Sequence, residues 1–214
     1  MIESVVLHGQ VVRLEPLEEA HGEALALASG EDPTLYQWSQ VPIGVDAAQR
    51  FVDEALAGQA EGHMLPFVIV GLNDARVLGS TRLLRIEHWQ WPPGNRYYGR
   101  TTPDVCEIGH TWLARSAVRT GVNTDAKRLL LTHAFETWNT HRVCLRTDVR
   151  NERSRAAIER LGARLDGVVR GERAAVDGTV RDSALYSIVA SEWPAVKQRL
   201  EGLADPARAP VADR

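Results

Sequence analysis

The stretch from residue 104 to 163 constrains the fold more than any other. An apolar strand, Val105 to Leu113, is followed by Arg119-Thr120-Gly121-Val122-Asn123-Thr124, then by a helix, a second strand and Asn151-Glu152-Arg153-Ser154. That order places a glycine-containing turn at a helix N-terminus. The first turn of a helix leaves backbone N–H groups unpaired and carries partial positive charge, which makes it a receptor for a pyrophosphate. A second short polar motif follows the next strand, beside the same crevice. The segment reads as one built to hold an extended, phosphate-bearing cofactor across a sheet.

The rest of the chain supplies that sheet. Val11 to Leu17 alternates and reads as a strand, Glu18 to Ser29 as an Ala- and Leu-rich helix, and Pro33 to Pro42 as a loop holding Tyr36 and Trp38. Asp46 can cap a second helix with Phe51, Val52, Ala55 and Leu56 at helical spacing. Leu65 to Val70 and Val77 to Ile86 read as strands. Beyond Val105 to Leu113 come a helix over 123–138, a strand over 142–149 and a helix over 152–161 ended by Gly162. Strands over 164–174 and 179–189 follow, joined at Asp177-Gly178, a hairpin signal. Ser191 caps a last helix with Trp193 and Pro194 in its first turn. Meandering strands followed by strand–helix–strand give a mixed α/β class. Residues 88–102 hold Trp89, Trp91, Tyr97, Tyr98, Pro92, Pro93 and Gly94, too Pro- and Gly-rich for a strand core. Their rings either pack on the domain or offer a surface to a partner or substrate.

At 214 residues and 44% hydrophobic content, one domain over residues 1–202 is expected, with an Ala/Pro-rich, frayed tail over 203–214. A net charge of -3 argues against nucleic-acid binding by bulk charge. Cys106 and Cys144 lie in apolar runs without metal spacing and read as buried thiols. Met1-Ile2-Glu3-Ser4 lacks the basic region of a signal peptide, and no apolar run approaches the ~20 residues of a membrane span. A cytoplasmic protein is the expectation, and the aromatic loop with the 177–178 hairpin suggests a homodimer.

The chain resembles the GNAT superfamily of acyl-CoA-dependent N-acyltransferases, in its RimJ/RimL-like branch. The resemblance is carried by Val12-Arg13-Leu14-Glu15-Pro16, by Glu107-Ile108-Gly109-His110-Thr111-Trp112-Leu113, and by Gly121 with Thr124-Asp125-Ala126-Lys127. Asn151-Glu152-Arg153-Ser154, Ile158-Leu161-Gly162-Ala163 and Asp182-Ser183-Ala184-Leu185-Tyr186-Ser187 continue it, in order, over roughly residues 9–200. It implies a twisted mixed sheet whose central strands splay apart, flanked by helices, with acetyl-CoA in the V-shaped gap. One feature departs from the family: where its phosphate turn has Gln/Arg-x-x-Gly-x-Gly/Ala, this chain has Val118, Gly121 and Asn123. A cradle of backbone N–H groups tolerates that change.

The resemblance implies an enzyme that transfers an acetyl group from acetyl-CoA to a primary amine, a protein N-terminus or a small amine, by direct attack and without a metal. Gly121 would let the backbone approach the pyrophosphate, with N–H donors from Thr120, Val122, Asn123 and Thr124; a plain strand-to-helix corner is the alternative. Arg119 and Lys127 add charge at the phosphates or are solvated cations. Asn151 bonds the pantetheine, caps the next helix, or both. Ser154 is the implied acid for the leaving thiolate, against an exposed helix serine. A backbone N–H near Trp112 or Leu113 would polarise the thioester carbonyl. Glu107 is a carboxylate in an apolar strand, costly there unless solvated or paired. It is either the general base, directly or through a water, or half of an ion pair with Arg146 or Arg82. His110 is a second base candidate and lines the acceptor pocket with Trp38 and Tyr186, unless these are packing residues. A non-catalytic CoA-binding or sensor module of the same fold is the competing reading.

Overall fold

A computed structural model describes residues 3–204. One eight-stranded sheet runs through it: β1 (Leu7–His8), β2 (Val12–Pro16), β3 (Met64–Gly71), β4 (Val77–Glu87), β5 (Val105–Leu113), β6 (Arg142–Asp148), β7 (Arg164–Ala174) and β8 (Val180–Val189). Their spatial order is β1-β2-β3-β4-β5-β6-β8-β7. Every neighbouring pair is antiparallel except β5 and β6, which are parallel. The mixed α/β class and the splayed sheet flanked by helices are those expected. β3 is buried along nearly its whole length, because helices cover both faces of the sheet there.

The helices divide between the faces. α1 (Gly22–Gly30) and α2 (Val45–Ala60) cover one; α2 presents Ala48, Phe51, Val52 and Ala55 at helical spacing to a core shared with Val68, Val70 and Trp112. α3 (Val122–Thr132), α4 (Glu152–Leu161) and α5 (Trp193–Ala204) cover the other. There Ala126, Leu130, Ile158, Leu161 and Leu200 pack with Cys106, Ile108, Val143, Leu145 and Tyr186. α3 stops earlier than the expected 138; its pattern continues through a π-helical turn, His133–Thr137. The tail expected over 203–214 lies outside the described residues apart from 203 and 204, which continue α5.

Two buried aspartates fix segments whose conformation no local pattern dictates. Asp125, in the first turn of α3, accepts the N–H groups of Gln10, Val11 and Val12 and holds Arg128 at 2.7 Å. This ties the β1–β2 turn to α3, and a Cβ on Gly9 would lie 2.3 Å from the same carboxylate, so only glycine fits. Asp104, fully buried, accepts the Trp89 N–H, the Trp91 indole N–H and Arg100. His141 stacks on Trp89 and meets Tyr97 edge-on. The aromatic loop over 88–102 is thus folded around His141 and Asp104, beside the starts of β5 and β6.

Candidate active site

β5 and β6 pair in register from Val105↔Arg142 to Ile108↔Leu145 and no further. Beyond that rung the strands part. The cause lies in β5: His110 and Thr111 together face Thr81 of β4, a bulge that shifts the register, with His110 at φ +48°. A bulge bends its strand and re-aims the side chains beside it. The result is a gap through the sheet, lined by Ile108 to Trp112 on one side and Leu145 to Asp148 on the other. The gap joins a cleft on the α3/α4 face to one on the α1/α2 face.

On the α3/α4 face Asn123, Lys127, Asn151 and Ser154 line the cleft. The Asn151 side chain accepts the Ser154 N–H at 3.0 Å and so caps α4. The turn before α3 is more committed than the sequence suggests: the Thr120 hydroxyl donates to Ala117 O and accepts the Val122 N–H. Among the described residues, the Asn123 and Thr124 N–H groups have no such partner, and they remain the donors a phosphate could use. Arg119, Thr120, Gly121, Val122 and Thr124 form this turn outside the cleft lining, and Arg119 carries the left-handed φ of +62°. Lys127 does not reach solvent at the turn. It is buried and donates to Thr111 Oγ1 at 2.5 Å, and burial pushes its pKa down from 10.5 to about 7.

The α1/α2 face holds a second set of groups. Trp38, with Arg150 stacked on its ring, Ser39, Gln40 and Val41 form one wall. Arg173 and Val176 of the β7–β8 hairpin form another. Glu107 points to this face but is not itself a lining residue. Its buried carboxylate sits between Arg146 at 3.3 Å and Arg85 at 3.5 Å. Arg82, the other partner considered, instead donates to Phe51 O and lies over the Phe51 ring. A Cβ on Gly109 would lie 2.9 Å from Leu84 Cδ2 and 3.5 Å from Glu107 Oε1, so the glycine lets the Leu84 side chain and the carboxylate pack close against β5 beneath the cleft. His110 lines the cleft; crowding by protein atoms, then the guanidinium groups of Arg82, Arg173 and Arg85, push its pKa down to about 4, so its ring is neutral.

Two further expected residues sit away from the cleft. Tyr186 is fully buried on the α3/α4 face, where its hydroxyl donates to Glu159 and accepts from Arg155. It braces α4 and does not line the acceptor side, because alternation along β8 turns it to the other face. Leu113 is also outside the lining; its carbonyl accepts the Tyr36 hydroxyl at 2.9 Å. The Trp112 ring packs against Tyr36 and Phe51, leaving its backbone at the gap.

Comparison with known proteins points to one family for a chain with this fold. Residues 12–164 match the family described as an acetyltransferase (GNAT) domain. The chain belongs to the GNAT acetyltransferase family. Over 91 residues it is 38% identical to the protein named "Putative ribosomal N-acetyltransferase YdaF" of Bacillus subtilis (strain 168), a match that covers 42% of this chain and 49%, about half the length, of that relative. A GCN5-related N-acetyltransferase from Brucella melitensis superposes with a TM-score of 0.80 at 27% identity, over 100% of this chain and 91% of that one. Mycobacterium smegmatis RimJ, solved in complex with CoA-disulfide, superposes with a TM-score of 0.74 at 25% identity, over 94% of this chain and 93% of that one. The acetyltransferase is an enzyme of the RimJ/RimL-like branch. Among its described residues no helix is long and apolar enough to cross a membrane, and no cluster of His, Cys, Asp and Glu could hold a metal.

Several residues of this acetyltransferase's cleft were not singled out from sequence: Arg146 as a wall of the gap, Asp148, Arg173 and Arg181. For the last two, the hairpin signal came one residue short. A turn of two residues at Asp177-Gly178 would set Arg173 opposite Asp182 by counting outward; the observed loop takes three residues, 176–178, and so sets Arg173 opposite Arg181.

Proposed function

We propose that the acetyltransferase moves an acetyl group from acetyl-CoA to a primary amine, a protein N-terminus or a small amine, by direct attack in a ternary complex in the cytoplasm. The observation that carries this reading is the gap between β5 and β6. It joins a face bearing a helix N-terminus and Asn151 to a face bearing a separate polar chamber, so donor and acceptor can meet in the sheet from opposite sides. The free Asn123 and Thr124 N–H groups suit the cofactor's pyrophosphate. Asn151, at the rim of the same cleft, suits its pantetheine amides.

The amine must lose a proton before its nitrogen can attack the thioester carbonyl. Glu107 is the base in this reading, acting through a water, since its carboxylate is not itself part of the cleft lining. His110, which lines the cleft itself, is the second candidate for this role. As the C–S bond breaks, Ser154 gives its proton to the departing thiolate. A backbone N–H of β5 near Trp112 or Leu113 polarises the carbonyl. Neither cysteine lines the cleft, and burial raises the pKa of both, which disfavours an acyl-enzyme.

The reading includes a homodimer. β7 is an edge strand with Leu165, Val168 and Val169 exposed, and such an edge is a template for pairing; a monomeric mass by light scattering in the micromolar range would remove this part. The chemistry is tested with a panel of amines and peptides, following thiol release from acetyl-CoA and the mass of the product. Acetylated product from one or more amines is expected. Thiol release no faster than spontaneous hydrolysis with every acceptor would defeat the reading.

A further inference from the structure

The α1/α2 face of the cleft carries more positive charge than its acids can balance. Arg85 and Arg146 share Glu107 and Glu172. Asp148 and Asp177 are both held by Arg150 at 2.8 Å. That leaves Arg173 and Arg181, which both line the cleft. They are directly opposite each other across β7 and β8, so their side chains project from the same face of the sheet. Like charges facing across a strand pair are destabilising. Arg181 is only 6% exposed, yet its one side-chain hydrogen bond is Nε to Ser183 Oγ at 2.8 Å. Among the described residues no carboxylate lies within ion-pair distance of either guanidinium. A buried charge left without a counter-ion is costly unless a ligand supplies one.

We infer that Arg173 and Arg181 form an anion clamp, and that the amine acceptor carries a carboxylate which they hold while its nitrogen lies over the gap between β5 and β6. The carboxylate belongs either to a small amino acid or to an acidic side chain beside the N-terminus of a peptide. Guanidinium forks match a carboxylate in shape as well as charge. The ligand thereby cancels the repulsion that the empty protein carries. Burial, and then Arg173, push the Arg181 pKa down to about 10, against a partial upward pull from the more distant Asp148 and Glu107 carboxylates.

This rests on the acetyl-transfer reading, and matched acceptors keep the two separable. One pair is an amino acid and its neutral amide; the other is a short peptide with Asp at its second position and the same peptide with Asn. Each is measured by kcat/KM with acetyl-CoA and by its effect on the melting temperature of the full chain, for wild type, Arg173→Gln and Arg181→Gln. The expected result is a preference of about ten- to a hundredfold for the acidic member of one pair. That preference falls to near unity in either variant, and the pair that shows it identifies the source of the carboxylate. Arg173→Gln, on an exposed hairpin position, should melt no lower than wild type without ligand, since it removes a facing like charge. Equal acetylation of acidic and neutral members by wild type overturns the clamp and leaves acetyl transfer standing. So does a preference that survives both substitutions. If no amine is acetylated, melting decides: stabilisation of wild type by the acidic probes alone, lost in the variants, supports the clamp, and equal shifts for all probes overturn it.

Discussion

Glu107 and Lys127 are both charged groups taken out of water at the cleft, and they differ in whether a counter-ion went with them. Glu107 has two guanidinium groups within 3.5 Å. Lys127 has a hydroxyl, and burial alone shifts it. Replacing Glu107 with Gln keeps the shape and abolishes the proton acceptor, so turnover at neutral pH should fall by about 10²–10⁴-fold. The loss should shrink as pH rises and free amine becomes abundant. A pH–rate profile of Glu107→Gln checks this, and near-normal turnover at neutral pH would place the base elsewhere. For Lys127 the consequence is one of stability. Between about pH 7 and 10.5 the unfolded chain binds a proton there that the folded chain does not, so this group makes stability rise with pH across that window. Below the window its full cost is present. Lys127→Met should therefore raise the melting temperature at pH 6, by roughly 4 °C or more, and by much less at pH 10. An equal shift at both pH values would mean that Lys127 is charged at little cost.

At the scale of elements, what can be read from the chain is what depends on near neighbours. β5, α4 and β7 have the bounds their periodicity predicts, because alternation, the Asn151 cap and the left-handed Gly162 stop are all local signals. β1 escaped because two residues carry no period. The end of α3 escaped because a π turn keeps nearly the same apolar spacing as the helix before it. Asp125 reads as an ordinary first-turn acid, yet it accepts N–H groups more than a hundred residues away in sequence. Hydrogen bonds to a charged group contribute about 1.5–3 kcal/mol, and losing the acceptor strands buried donors. Asp125→Ala should thus cost roughly 3 kcal/mol, or about 6–12 °C in melting temperature for a chain of this length. A melting temperature within two degrees or so of wild type would show that the β1–β2 turn is held by its own strand pairing.

Across the whole molecule the two faces of the cleft were unequally legible. The cofactor face is made by α3 and α4, two consecutive helices with terminal motifs, and each motif lies within a few residues of sequence. The acceptor face is assembled from β5, β6, β7, β8 and the loop at Trp38, so its chemistry appears only once strand order and register are known. Tyr186 shows the cost of lacking that register, since one step along β8 exchanges one face for the other. The same topology has a mechanical consequence. The β1–β5 and β6–β8 portions of the sheet meet in only four paired rungs, Val105 to Ile108 against Arg142 to Leu145, before the strands part. A ligand lying in the gap supplies contacts to both portions where strand pairing is missing. Acetyl-CoA at a hundred times its dissociation constant should add about 2.7 kcal/mol of stability, or roughly 5–10 °C. The protection should be local in hydrogen exchange: amides of 109–113 and 145–148, which border the gap, should slow, while those of 105–108, already paired, should change little. Titration in a melting assay followed by exchange with and without the ligand makes both measurements. No shift at about millimolar acetyl-CoA would count against binding altogether, whereas a shift with protection confined to residues away from the gap would mean that the cofactor is held somewhere other than between β5 and β6.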